Sequence, residues 1–230
     1  MGGAPRWPQQ PDLHRYYLFF ALTYFIQGVT DLTSGLANQP VQYLLKEEMG
    51  LNAGQSGRFF AIISLGWMIK PLYGLLSDFV PFARYQRKSY LLLMSALGVA
   101  SWLALSLLPP QYESVLTLLT LCAATLAFCD VMIDALMVEV GRPLGLTGSM
   151  QAIQWASISV AFALAQFAGG YLAAHTTPHM VFLLSAAFPL LTFLGTFKFV
   201  QEPERILSRQ TLSDTRSSLQ EAVQSRALWM

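Results

Sequence analysis

Four ionisable side chains sit inside stretches otherwise apolar enough to cross a lipid bilayer: Asp31, Lys70, Asp130 and Asp134. Placing such a group at the bilayer centre costs about 2.5–3.5 kcal/mol on insertion scales, so each needs a partner or a task. Asp130 and Asp134 are four residues apart, which puts them on one face of a helix. Two carboxylates held close in a low dielectric resist joint ionisation, which suits the uptake and release of a proton. Lys70 can instead pair with one of them, or stay unpaired and anchor an anionic ligand. A carboxylate also accepts both hydrogen bonds from a heterocycle that carries an amino group beside a ring N–H. The alternative is a static ion-pair network that fixes helix packing. Around Asp31 the chain carries Gln27, Thr30, Thr33, Ser34, Asn38 and Gln39. Lipid does not tolerate such a row, so this face is expected to look at protein or at a water-filled cavity, with Asp31 at its centre.

These residues have to be positioned by membrane helices. The 230-residue chain is 54% apolar and only 12% charged, with a mean hydropathy of +0.45. An average soluble domain has about 25% charged residues. Two cysteines exclude a disulfide scaffold, 15 Phe and 5 Trp exclude disorder, and a net charge of +1 excludes a nucleic-acid binder. A crossing helix needs roughly 20 mainly apolar residues. Six stretches qualify: 17–36, 59–76, 90–108, 115–138, 148–174 and 181–197. Of 14 basic and 13 acidic residues, only the four named above fall inside them. Arg15, Arg84, Arg87, Lys88, Arg142 and Lys198 fall on one side of the membrane together with the basic residues of both tails; Lys46 and Arg58 fall on the other. The positive-inside rule then places both termini in the cytoplasm or its equivalent. The expected organisation is a tail over residues 1–15, a six-helix bundle over 16–201 and a cytoplasmic linker or tail over 202–230. No cleavable signal peptide is expected, the first span serving as the membrane signal.

Local signals punctuate the bundle. The first helix is expected to run from Tyr16 toward Leu45 with a bend at Pro40. Asn52 and Gln55 form a capping box for the second helix, which Lys70-Pro71 interrupts before Asp78. The third ends at Pro109-Pro110, and Thr177-Pro178 opens the sixth. On the fifth helix Ser157, Ala161, Ala165, Gly169 and Ala173 recur every four residues. Such a stripe lets a helix approach closely, and is expected to be the surface on which a further half or a second copy docks. Cys122 and Cys129 read as packing residues, while Trp67, Trp102 and Trp155 are either cavity walls or interface anchors. His175 and His179 have Pro178 between them and supply too few ligands for a metal site. With no nucleophile or cofactor motif either, neither an enzyme nor a bound cofactor is expected.

Residues Gly74-Leu75-Leu76-Ser77-Asp78, followed by Arg84 and Arg87-Lys88, resemble the cytoplasmic signature of the major facilitator superfamily. Three blocks narrow the resemblance to the folate–biopterin transporter family: Gly66 through Asp78, Gly35-Leu36-Ala37 continuing through Pro40 to Lys46, and Asp130 through Glu139. The loop Ala83–Lys88 departs from the family pattern, which has a glycine and more arginines there. Family members carry two six-helix halves, and this chain corresponds to the first. The resemblance implies an all-α membrane protein, the N-terminal half of a major facilitator fold, working by alternating access around a midplane site. It implies a folate or pterin substrate carried by proton symport, and a C-terminal half or a second copy as partner within the lipid bilayer. Under it, Asp31, Lys70, Asp134, Gln27 and Asn38 would bind substrate. Asp130 and Asp134 would couple protons. Gly74, Asp78, Arg84, Arg87, Lys88, Glu139 and Arg142 would form a cytoplasmic gate. A half-transporter that pairs with a partner and moves nothing alone is the other reading. The cell membrane and a plastid envelope both remain open as its location.

Overall fold

The computed structural model of the protein describes residues 12–80, 83 and 85–202. The described chain is all-α, as a chain that must satisfy its backbone within lipid requires. Helix α1 spans Leu13–Thr30 and α2 Asn38–Tyr43, the latter running into a π-helical turn, Leu44–Glu48. Next come α3 (Ala53–Met68) and α4 (Lys70–Phe79), then α5 (Lys88–Leu107) and α6 (Tyr112–Gly141). After a 3₁₀ turn, Arg142–Leu144, follow α7 (Thr147–His175) and α8 (Pro178–Phe199).

Among the described residues five helical spans are long and apolar enough to cross a membrane: Ala53–Asp78, Lys88–Leu107, Tyr112–Leu144, Thr147–His175 and Pro178–Phe199. Six had been expected. The first, α1, is the one outside this set. It is 18 residues long and carries His14, Arg15, Thr23, Gln27 and Thr30, which dilute its hydropathy. It does not need an apolar exterior, because it lies inside the bundle, packed on α7, α8 and α6, with Phe19, Phe20 and Tyr24 fully buried.

The continuous first helix expected from Tyr16 to Leu45 is broken, and not at Pro40. The break covers residues 31–37. Asp31 Oδ1 accepts hydrogen bonds from the Thr33 amide (2.8 Å), the Thr33 hydroxyl (2.5 Å) and the Ser34 amide (2.8 Å). These local bonds compete with the helical ladder and end it. The chain then folds back so tightly that a Cβ on Gly35 would stand 2.3 Å from the Val29 carbonyl oxygen, so only glycine fits. Pro40 sits in the first turn of α2, where a missing N–H costs little.

Other local expectations are met. The Gln55 amide donates to Asn52 Oδ1 and the Asn52 amide to Gln55 Oε1, both at 2.9 Å. Ile69 separates α3 from α4, with Pro71 in the first turn of α4. Thr177 precedes Pro178 at the start of α8.

The small-residue stripe of α7 has a different use from the one expected. Ala161, Ala165 and Gly169 are buried against α1 and the turn that follows it. A Cβ on Gly28 would lie 2.7 Å from Ala161 Cβ, and one on Gly169 would lie 2.8 Å from the Leu36 carbonyl oxygen. The stripe is therefore used as an internal seam between α1 and α7. The residues of α7 exposed beside it are larger, including Trp155, Val160, Leu164 and Phe167. Trp102, by contrast, is a core residue whose ring lies 5.9 Å from that of Phe182, tilted by 39°.

Candidate functional site

Where α1, α4, α6 and α7 come near one another, the chain gathers three of the four charged groups it places within the apolar spans, Lys70, Asp130 and Asp134. The break at Ile69 starts α4 with Lys70, whose ammonium pairs with Asp130 Oδ2 on α6. The ammonium also lies 4.9 Å from the Trp67 ring centroid, a cation–π contact from the preceding helix. The Asp130 side chain is 3% exposed and that of Lys70 31%, so the acid is interior and the base partly exposed. Lys70 is thus a paired lysine, the first of the two alternatives that the sequence left open.

Asp134, one turn along α6, has neutral partners. The Tyr24 hydroxyl donates to its Oδ1 at 2.5 Å and Gln154 Nε2 donates to the same oxygen at 3.2 Å. Gln27, three residues after Tyr24 on α1, approaches Asp130, and its Oε1 is buried without a protein partner among the described residues. The i, i+4 pair on α6 therefore splits into two environments, one carboxylate against a cation and the other against a phenol and an amide.

Two further candidates lie elsewhere. The Asp31 carboxylate is used at the end of α1, bonding its own backbone. Asn38 is buried; its Nδ2 donates to the Leu32 carbonyl and its Oδ1 accepts from Gln42 Nε2, both at 2.8 Å. Asn38 stands with Gln39 and Gln42 on the wall of a separate cleft of about 870 Å³, which the π-helical turn and the start of α3 complete. Gln39 reaches Gln166 on α7, and Gln166 Nε2 donates to the Ser34 carbonyl at 2.8 Å. Asp31 and Asn38 thus belong to the broken turn rather than to the Lys70–Asp130–Asp134 cluster.

At the other end of α4 a second ionic group forms. Arg87, at the start of α5, is buried. Its guanidinium donates to Asp78 Oδ1 (2.5 Å), to Glu139 Oε1 (3.3 Å) and to the Ser77 hydroxyl. Gln86 Nε2 adds a bond to Asp78 at 3.3 Å. Of the expected gate residues, Asp78, Arg87 and Glu139 come together. Gly74 serves as the contact of α4 with Val131 on α6. Lys88 turns away, its ammonium donating to the Val200 carbonyl at 2.8 Å beyond the end of α8. Arg142 is exposed and takes no part in the network among the described residues. Arg84 lies outside the described residues.

Sequence reasoning did not single out Tyr24, Gln154, Ser77 or Gln86. Tyr24 had a signal, since it is three residues before Gln27 on the same helix face. Ser77 lay within the quoted motif without a role. Gln154 and Gln86 are common polar residues whose partners are distant in sequence. His175 and His179 each bond a backbone carbonyl of a different element, Tyr171 at 2.8 Å and Ser106 at 3.1 Å, and do not converge.

The model of the BT1 family matches residues 27–226 of this chain. A folate-biopterin transporter of Synechocystis sp. is 29% identical over 231 residues, covering 100% of this chain and 43% of its own length. The probable folate-biopterin transporter 4 of Arabidopsis thaliana is 30% identical over 187 residues, covering 79% of this chain and 37% of that protein. Folate transporter 1 of Plasmodium falciparum is 27% identical over 185 residues, covering 79% and 36%. The chain spans less than half the length of these curated relatives.

Proposed function

Because this chain belongs to the BT1 family of folate–biopterin transporters, a transport and not an enzymatic family, we propose that it forms one half of a carrier for folate or pterin compounds. In this reading α1, its broken turn and α2 make a sixth span, and the bundle is the N-terminal half of a major facilitator fold. The loop charges support cytoplasmic termini. The carrier works by alternating access with a coupled proton.

The observation that carries this reading is the unequal pairing of the two carboxylates on α6. Lys70 neutralises Asp130, whereas Asp134 is held by Tyr24 and Gln154, which are uncharged. A carboxylate held only by neutral donors has charge to share in a low dielectric. It can take a proton, or accept the amino and ring N–H pair of a pterin. Gln27 Oε1, beside Asp130, is a further acceptor ready for a donor. Asp134 is therefore the substrate or proton group, Asp130 and Lys70 its electrostatic support, and Arg87 with Asp78 and Glu139 the cytoplasmic latch.

Uptake into vesicles containing this chain together with a C-terminal half tests the proposal. Pterin or folate uptake that depends on a proton gradient and is lost in Asp134→Asn supports it; full uptake by that variant refutes the assigned role. The other reading is a half that pairs with a partner and moves nothing alone. Uptake by the chain alone, measured against the chain plus the second half, separates the two.

A further inference from the structure

The N-terminus of α5 is capped from a distant part of the chain. Arg87 occupies the N-cap position, yet its side chain makes no capping bond. The free amides of this first turn point instead at Glu202, the residue after Gln201 beyond α8. Glu202 Oε1 accepts from the Gln86 amide at 3.1 Å and the Arg87 amide at 3.2 Å. Its Oε2 accepts from the Arg87 amide and the Lys88 amide, both at 2.9 Å. One carboxylate thus serves three consecutive N–H groups at the positive end of a 20-residue helix. The end of α8 is tied down around it. Lys88 Nζ donates to the Val200 carbonyl at 2.8 Å, Arg15 Nη2 to the Lys198 carbonyl at 2.6 Å, and the Tyr16 hydroxyl to the Gln201 carbonyl at 3.1 Å.

The residue that Glu202 fixes by its backbone amide is also the one whose guanidinium joins α4 to α6. Arg87 cannot keep its bonds to Asp78, Glu139 and Ser77 if the first turn of α5 frays. We propose that Glu202 is the positioning residue of the cytoplasmic latch, so that the residues directly following α8 set whether α4, α5 and α6 are locked together. This deepens the transport reading and rests on it for its meaning in the cycle; the contact itself does not depend on any substrate.

Hydrogen exchange of the full chain in lipid nanodiscs tests the proposal without transport. In Glu202→Ala the amides of Gln86, Arg87 and Lys88 should exchange about tenfold faster, as expected when a charge-assisted cap is removed. The deciding readout is at residues 76–80 and 138–141, the ends of α4 and α6, which Glu202 does not touch. These should also exchange several-fold faster, and Glu202→Gln, which keeps one acceptor oxygen, should restore part of the protection at both places. A rise confined to residues 86–88 overturns the proposal, because Glu202 would then be a local cap only. No rise anywhere overturns it as well. In vesicles with a C-terminal half, the same variants should lower the maximal uptake rate while leaving KM unchanged. If the wild-type chain moves no pterin or folate at all, the transport reading fails, while the exchange experiment still decides the role of Glu202.

Discussion

Two ionic groups occupy the two ends of α4, and they are built on opposite plans. At Lys70 one cation faces two carboxylates, and only Asp130 is directly paired with it. At Arg87 one guanidinium meets Asp78, Glu139 and Ser77, and Glu202 holds its backbone. The first group is sparse, so any change in charge is felt. The second is redundant in the acceptors of its guanidinium, so each of those three is replaceable while the backbone of Arg87 stays in place, and the whole behaves as a fastener. A sparse cluster suits proton or ligand binding, and a redundant one suits a latch.

Lys70→Ala should have the largest effect. It leaves Asp130 buried without its cation, a change that costs about 3 kcal/mol in comparable buried pairs. The variant should melt well below wild type in detergent, and Lys70→Ala combined with Asp130→Ala should recover much of the loss. Folate and biopterin uptake should fall together. Selective loss of folate would show instead that Lys70 meets the substrate's carboxylates, and would break the contrast drawn between the two groups.

Arg87→Lys should come next. Lysine keeps the charge but cannot bond Asp78, Glu139 and Ser77 in the same fork, so about 2 kcal/mol of stability should go. Glu139→Gln should cost less, under about 1 kcal/mol, because Asp78 and Ser77 still hold the guanidinium. If Glu139→Gln destabilised as much as Arg87→Lys, in the same melting experiment, the latch would not be redundant.

Asp134→Asn should change stability least, by less than about 1 kcal/mol, since the amide oxygen still accepts from Tyr24. Uptake should nonetheless be lost. Separation of stability from uptake at this one site is the sharpest form of the comparison, and a variant that loses both would make Asp134 a structural residue.

The parts of the fold written in adjacent residues were legible. Asn52 and Gln55 close a capping box, Pro71 stands in the first turn of α4, and Pro178 opens α8 after Thr177, whose side chain makes no capping bond. The break in the first helix was misplaced because Pro40 is a stronger punctuation mark than Asp31, although proline is harmless in a first turn and Asp31 has three local donors to collect. The stripe on α7 announced a close approach but carried no label for its partner, and Gly28 on α1 supplies it from 133 residues away in sequence order. The pairing of Asp130 with Lys70 was among the alternatives, yet choosing it required knowing that α4 packs on α6. Glu202 was unreadable as a cap, since nothing near it in sequence is capped by it.

The interruption at Ile69 turns one long span into two rods, and the shorter has a mechanical meaning. Lys70 is the first residue of α4 and Asp78 the ninth. At 1.5 Å of rise per residue they stand about 12 Å apart on a single rigid segment. A displacement of α4 along its axis therefore arrives at both ends together and undiminished. In the proposed carrier, neutralising a charge at one end and unfastening the other would be strokes of one lever, with the joint at Ile69 as its fulcrum.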